Sequence, residues 1–380
     1  MIVKALRLEN FRNFEDETFR FDGGINILAG NNAQGKTNCI EGIYFCSCLK
    51  SYRVIKEEQL IRFGREHAAI TLDFEVDGRE EQLKILFAKG RPKEFRYNGL
   101  AVSRLRDLLG CFQSVIFTPD HLNLIKEGPH KRRAFLDMAL CSLDLQYTDQ
   151  LLNYQKILKN RNALLRQCKE RPENAEMLFI WDGKLAEAGS YIAKARADYI
   201  ALLSEFAKGF YSEISKKEEK LKLIYLNAFT KDTVSQEEYR ELFLSRLQRM
   251  RETDIAMGQT MSGVHKDDIL ILLSGKSMKY FASQGQIRSA VLAMKLAEAE
   301  CITQRSGTQP VLLLDDILSE LDAKRQKFIF ERMAGRQTIL TTCELGKIRK
   351  KGDKVFFIKE GKAARVRVPA SGSGSADQKG

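Results

Sequence analysis

Gly30-Asn31-Asn32-Ala33-Gln34-Gly35-Lys36-Thr37 constrains this chain more than any other stretch. It fits the phosphate-binding P-loop: glycine, four residues, glycine, lysine, then serine or threonine. The glycines let the backbone curl until successive N–H groups point inward at phosphate oxygens. A helix beginning near Thr37 adds the positive end of its dipole. Lys36 neutralises the β- and γ-phosphates, and the Thr37 hydroxyl stands where it can ligate Mg²⁺. The flanks agree, since Ile25-Asn26-Ile27-Leu28-Ala29 reads as a short strand and 37–49 as a helix. A P-loop demands a mostly parallel α/β sheet, so the chain must supply more buried strands.

It does so in its last third. Val311-Leu312-Leu313-Leu314 is wholly apolar, the pattern of a strand buried on both faces. Residues 338–342 and 354–358 read as further strands. Asp315 and Asp316 follow the apolar run, at the strand edge where α/β sheets hold ligands. This is the pattern of a Walker B strand: Asp315 would hold Mg²⁺, directly or through water. Asp316 would polarise an attacking water and is the general-base candidate. Elsewhere the first 130 residues read as alternating strands, at 3–8, 69–76 and 83–87, with hairpin-type turns at Asp77-Gly78 and Asn98-Gly99.

Between these halves the period changes to helical. Leu185, Ala188, Ile192, Ala195, Tyr199, Leu202 and Phe206 recur at alternating intervals of 3 and 4, a seam along which one helix packs on another. Leu151, Tyr154, Leu158, Leu165 and Cys168 keep a looser version. The expectation is an α/β head from residues 1–130 and 258–368, interrupted by a helical lobe at 131–257 and followed by a disordered Gly/Ser tail at 369–380.

Charge bears on partners. The formal net charge is +12, from 62 Lys and Arg against 50 Asp and Glu. It is uneven: +1 over 1–130, +3 over 131–260 and +8 over 261–380. Residues 347–367 hold nine basic and two acidic side chains, either a solvated face or a strip for a phosphate backbone. No run approaches the roughly 18 apolar residues of a membrane helix. The start, MIVKALRLENF, has no apolar signal region. Eight cysteines without a CxxC pair, and four scattered histidines, suggest neither zinc nor a Cys/His nucleophile, and reduced thiols are expected.

Ser283-Gln284-Gly285-Gln286, opening a helix, resembles the signature motif of ABC ATPases, with Gln284 in place of the first of two glycines. Ser319-Glu320-Leu321-Asp322 is similar to their D-loop. In that class Ser283, Gly285 and Gln286 would clamp the γ-phosphate of a nucleotide held by a second subunit. About 246 residues separate Lys36 from Ser283, too many for a transporter ATPase and too few for the long coiled coil of SMC proteins.

With Leu8-Glu9-Asn10-Phe11-Arg12-Asn13, Lys50-Ser51-Tyr52-Arg53, residues 117–122 and 128–137, and Gly263-Val264-His265-Lys266-Asp267-Asp268, the whole set resembles the RecF family to about Val368. The resemblance implies an ABC-type P-loop ATPase head with an inserted helical lobe. It implies ATP and Mg²⁺ as cofactors and an ATP-dependent homodimer. It implies binding to double-stranded and gapped DNA, weak DNA-stimulated hydrolysis, and action with RecR and RecO before RecA loading, in repair and SOS induction. The location implied is cytoplasmic and nucleoid-associated, without a membrane. Ser51 and Arg53 are then candidates at the nucleotide or its interface, against surface or structural pairing, and the same choice stands for Arg132 and Arg133. Residues 117–121 fall in the Q-loop region without a glutamine, and Thr341-Thr342-Cys343 stands where many ABC ATPases carry a histidine, which fits slow hydrolysis. A module that docks proteins and reaches DNA only through them is the alternative.

Overall fold

A computed structural model describes residues 1–54, 56–215, 218–230, 233–344 and 353–365. The 369–380 tail and most of the basic side chains of the 347–367 run lie outside the described residues.

Five strands form a parallel sheet in the order Lys354–Lys359, Ile25–Ala29, Thr338–Thr342, Val311–Leu314 and Ser114–Phe117, with Lys362–Arg365 antiparallel at one edge. Both faces are covered, and period-2 alternation divides the side chains between them. Leu28, Ile116, Val311, Leu313 and Ile339 join one core, and Ile27, Val115, Leu312, Leu314 and Leu340 join another.

The first core lies under the helix Lys36–Cys48 and an antiparallel six-stranded sheet, ordered Asp16–Arg20, Ile2–Glu9, His67–Val76, Arg79–Ala88, Arg91–Tyr97, Leu100–Val102. Its hairpins turn where expected. Asp77 and Gly78, and Asn98 and Gly99, all have positive φ, as a turn matched to strand twist requires.

The second core is helical. Gln284–Ser306 lies against the parallel sheet, and Leu178–Ile214, 37 residues and about 55 Å long, packs along it. Leu145–Cys168 and Gln236–Arg249 flank the long helix. The seam at 185–206 is thus the packing stripe of that helix. Gly189 on it admits the ring of Phe243, which a Cβ would meet at 2.5 Å.

The 131–257 span is not helical throughout. Leu221–Leu226 is a strand with Leu221, Leu223 and Tyr225 buried, and it pairs antiparallel with Asp268–Leu273 beyond the span. Two buried arginines fasten the helices of this region, and Arg196 ties them to that joint. Arg196 donates to the Val264 carbonyl at 2.7 Å, to Asp137 at 2.7 Å and to Asp267 at 3.2 Å. Arg161 donates to Asp182 at 2.8 Å and to Asp254 at 2.7 Å. Arg132 is also buried, with Nε at 2.5 Å and Nη2 at 2.9 Å from the Asp268 carboxylate, and Arg133 donates to the Asp267 carbonyl. Of the two roles open to Arg132 and Arg133, these contacts are structural pairing.

Candidate nucleotide site

Every parallel strand that matters here ends on the same edge. Ala29 leads into Gly30, Leu314 into Asp315, Thr342 into Cys343 and Phe117 into Thr118, so chemistry scattered over 300 residues of sequence converges there.

The P-loop backbone has the conformation its glycines permit. Gly30, Ala33 and Gly35 have φ of 149°, 64° and 118°. At Gly30 a Cβ would lie 2.3 Å from the Ile358 carbonyl oxygen, and at Gly35 it would lie 2.8 Å from the Asn13 amide. These are close approaches only glycine allows. Gln34 ties the loop sideways, its carbonyl accepting from Asn13 Nδ2 and its Oε1 from the Glu360 N–H. Lys36 is buried, and its ammonium donates to the carbonyls of Gly30 (2.6 Å) and Asn31 (2.7 Å) and lies 3.3 Å from Cys343 Sγ.

Thr37 and Asp315 meet. The threonine hydroxyl donates to Asp315 Oδ1 at 2.8 Å, joining residues 278 positions apart. Two further hydroxyls hold the same carboxylate: Thr341 Oγ1 to Oδ1 at 3.1 Å and Tyr52 OH to Oδ2 at 3.1 Å. Burial pushes the Asp315 carboxyl above its ordinary value, and the three hydroxyls oppose that shift by stabilising the anion. Asp316 follows in left-handed conformation (φ 53°), its N–H donating to Thr341 Oγ1 at 2.8 Å. That turn sends the Asp316 side chain out into solvent beside the cavity while Asp315 stays in.

A cavity of about 1000 Å³ opens over this edge. Five of the eight P-loop residues line it (Asn32, Ala33, Gly35, Lys36 and Thr37), together with Asp316, Thr341 and Arg53. Arg53 also donates to Asn38 at 2.8 Å and Glu41 at 3.2 Å. Ser51 does not line it, being buried with its hydroxyl on Glu41 at 2.6 Å. Residues 117–121 do not reach it either. His121 packs in a separate small cavity beside Arg288 and Lys295, and burial holds its imidazole well below the usual range.

Ser283, Gly285 and Gln286 are also outside the cavity. They form a capping box on the helix Gln284–Ser306: the Gln286 N–H donates to Ser283 Oγ at 3.2 Å, and the Ser283 N–H to Gln286 Oε1 at 2.8 Å. Arg325 donates to the Gly285 carbonyl at 2.8 Å.

Sequence reasoning missed Tyr52, Thr341, Arg12 and Asn13 as parts of this site. Arg12 donates to both Glu41 oxygens, at 3.0 and 2.9 Å, and lines the cavity beside Asn13. Their only signal was membership of short polar motifs, since what they touch lies far away in sequence.

Among the described residues all eight cysteines are free, no group of three or more His, Cys, Asp or Glu is arranged to hold a metal, and no helix is long and apolar enough to cross a membrane. Mg²⁺ needs no such group, because it commonly takes one or two protein oxygens and completes its shell with phosphate and water.

Comparison with known proteins agrees with this geometry. Residues 2–364 match the family described as RecF/RecN/SMC N terminal domain. The DNA replication and repair protein RecF of Clostridium acetobutylicum is 38% identical over 367 residues, 96% of this chain and 99% of that protein. Its counterpart in Lachnoclostridium phytofermentans is 36% identical over 364 residues, 95% and 99% of the two chains. A solved structure of the recombination mediator protein RecF-ATP in the RecFOR pathway superposes with a TM-score of 0.90 at 35% identity, covering 96% of this chain and 98% of that one. An Smc head domain from Pyrococcus furiosus shares the fold, with a TM-score of 0.56 at 16% identity. On an ABC-type ATPase fold, with a P-loop and paired carboxylates at one sheet edge, this chain belongs to the RecF family of DNA replication and repair proteins.

Proposed function

We propose that this chain is an ATP-dependent DNA-binding switch of recombinational repair and replication restart. The observation that carries the reading is the 2.8 Å contact between Thr37 and Asp315, which sets two hard oxygen ligands side by side next to Lys36. Thr37 and Asp315 would hold Mg²⁺, whose contribution when bound is to neutralise charge on the β- and γ-phosphates. Gly30, Asn31, Asn32, Ala33, Gln34 and Gly35 supply the backbone that cradles the phosphates, and Lys36 supplies a cation. Asp316 orients the attacking water and accepts its proton. Arg53 lies on the cavity wall, where it can meet the nucleotide.

Ser283, Gly285 and Gln286 act on the nucleotide of a second copy, so ATP drives homodimerisation. Their position outside this chain's own cavity supports that. Hydrolysis is slow and weakly DNA-stimulated, and it resets the switch. The absence of histidine from Thr341-Thr342-Cys343 supports slowness. DNA partners are duplexes and gapped or single/double-strand junctions, supported by the +12 net charge. The solved relative placed in the RecFOR pathway supports work with RecO and RecR, upstream of RecA loading and SOS induction, in the cytoplasm at the nucleoid.

The test is fluorescence anisotropy of a labelled duplex with and without ATP–Mg²⁺, repeated across salt. The reading predicts tighter binding with ATP and a steep loss with salt, since each neutralised phosphate releases counterions. A second reading, a protein-docking module, is favoured by the apolar exposure of Met177, Phe179 and Ile180 on the near-neutral middle region. It wins if the duplex is retained only when RecR is added.

A further inference from the structure

We propose that Phe63 is the platform on which the base of the bound nucleotide stacks, so that the cavity is built for a nucleoside triphosphate and not for polyphosphate alone. The inference rests on the nucleotide reading above and deepens it.

Phe63 is fully exposed (102% relative to an extended chain) and lines the same cavity as Lys36 and Thr37. A single exposed aromatic needs no explanation on an ordinary surface. This one is presented on a fixed mount. The Arg12 N–H donates to the Leu60 carbonyl at 2.7 Å, and the Arg62 N–H to the Asn10 carbonyl at 2.8 Å, with a β-bridge between Phe11 and Ile61. The Arg65 N–H closes the turn onto the Arg62 carbonyl at 3.0 Å, and Gly64 supplies the positive φ of 77°. Arg62 and Arg65 both pair with Glu15. A turn tied down on both sides fixes the backbone from which the ring projects before any ligand arrives, which lowers the ordering cost of binding.

The same mount also fixes the phosphate seat. Asn13 donates to the Gln34 carbonyl at 2.9 Å, and its Oδ1 accepts from Asn38 at 2.9 Å. Residues 10–13 therefore set the position of the turn that carries Phe63 relative to the P-loop. A phosphate chain at Lys36 and a flat ring at Phe63, on stretches tied to the same residues 10–13 and in one cavity, match a ligand with an anionic end and a π-face. Arg12, Arg62 and Lys89 line the wall with them and add positive charge. Base stacking on an aromatic side chain tolerates any base, so the site selects for a base without reading which one.

The experiment is calorimetric titration of the full chain with ATP and, separately, with inorganic tripolyphosphate, in a Ser283→Arg background that suppresses contact between copies. Phe63→Ala should weaken ATP about tenfold and leave tripolyphosphate unchanged. Phe63→Trp should keep ATP affinity, and its fluorescence should be quenched by ATP but not by tripolyphosphate. Trp181, the one native tryptophan, is subtracted with the parent protein. Unchanged ATP affinity in Phe63→Ala, or equal loss for both ligands, overturns the inference. So does a loss seen only when Ser283 is intact, which would assign the ring to contact between copies. If the parent binds neither ligand, the nucleotide reading itself falls, and this inference with it.

Discussion

The P-loop edge and the signature end are both glycine-containing openings of helices, yet within one chain they have opposite characters. At the P-loop edge, residues from four separate segments converge: Thr37, Tyr52, Asp315, Asp316 and Thr341 meet around one carboxylate pair. At the signature end, Ser283 and Gln286 satisfy each other, Gln286 also donates to Glu219, and Arg325 covers the Gly285 carbonyl. The first is a site complete enough to bind phosphate. The second, taken alone, is a capped helix, and on the proposed reading it serves as a phosphate clamp only opposite another molecule's P-loop. Local geometry thus distinguishes a motif whose partners converge in its own chain from one whose polar groups are satisfied locally.

The variants that would break this contrast are taken from the largest expected effect downward. Asp316→Asn should leave ATP binding intact while turnover falls by roughly 10²–10⁴, the range for loss of a positioned base. Single-turnover hydrolysis in the ATP-bound dimer measures this, and a normal rate would move the base elsewhere. Lys36→Met should weaken ATP on the order of a hundredfold, because a buried cation leaves the phosphate seat. Equilibrium titration with labelled nucleotide reads it, and unchanged affinity would refute the site. Ser283→Arg should leave monomer affinity for ATP within about twofold, the scatter of surface changes, while sedimentation velocity finds no ATP-dependent dimer.

Thr341→Val tests a smaller, local feature. The threonine accepts from the Asp316 N–H and donates to Asp315, so losing its hydroxyl unpairs both. Turnover should fall about tenfold with nucleotide affinity nearly unchanged, and Thr341→Ser should restore it. Equal rescue failure in both variants would point to packing instead.

The joint behind the signature helix gives a pH signature. His265 lies between Tyr154 OH (2.8 Å) and the Thr260 carbonyl (3.1 Å), and burial lowers its imidazole to about 4. The unfolded chain therefore binds a proton below about 6.5 that the folded chain refuses until about 4, and stability falls with pH through that window. Asp267 acts in the opposite sense, because burial raises it to about 6 against the pull of Arg196. The His265 contribution is thus read as a difference from His265→Gln. Between pH 7 and 5.5 the wild type should lose about 1 kcal/mol more than the variant in urea unfolding. Parallel losses would remove His265 from the account.

Much of the head could be read directly from the chain. Val311–Leu314 is apolar because both faces of its strand are covered, and the P-loop glycines stand where Ile358 and Asn13 press on the backbone. The strand at Leu221–Leu226 was missed, because its short alternation of Leu221, Leu223 and Tyr225 is outweighed by the helical spacing on either side. Tyr52 and Thr341 were not legible either. Their importance is a hydroxyl aimed at Asp315 from 263 and 26 positions away, which depends on sheet order and strand register rather than on any local pattern. The Ser283 capping box shows the converse limit: its local sequence predicts a helix start correctly and leaves the partner for which it is exposed undetermined.

Mixing two disabled chains tests the shared site most directly. In a pair made from Lys36→Met and Ser283→Arg, one composite site carries both defects and the other joins an intact P-loop to an intact signature. Sedimentation velocity with ATP–Mg²⁺ should find monomers for each variant alone and dimers in the mixture. Dimers of Ser283→Arg by itself, or no dimer in the mixture, would contradict a nucleotide held between the P-loop of one copy and Ser283 of the other.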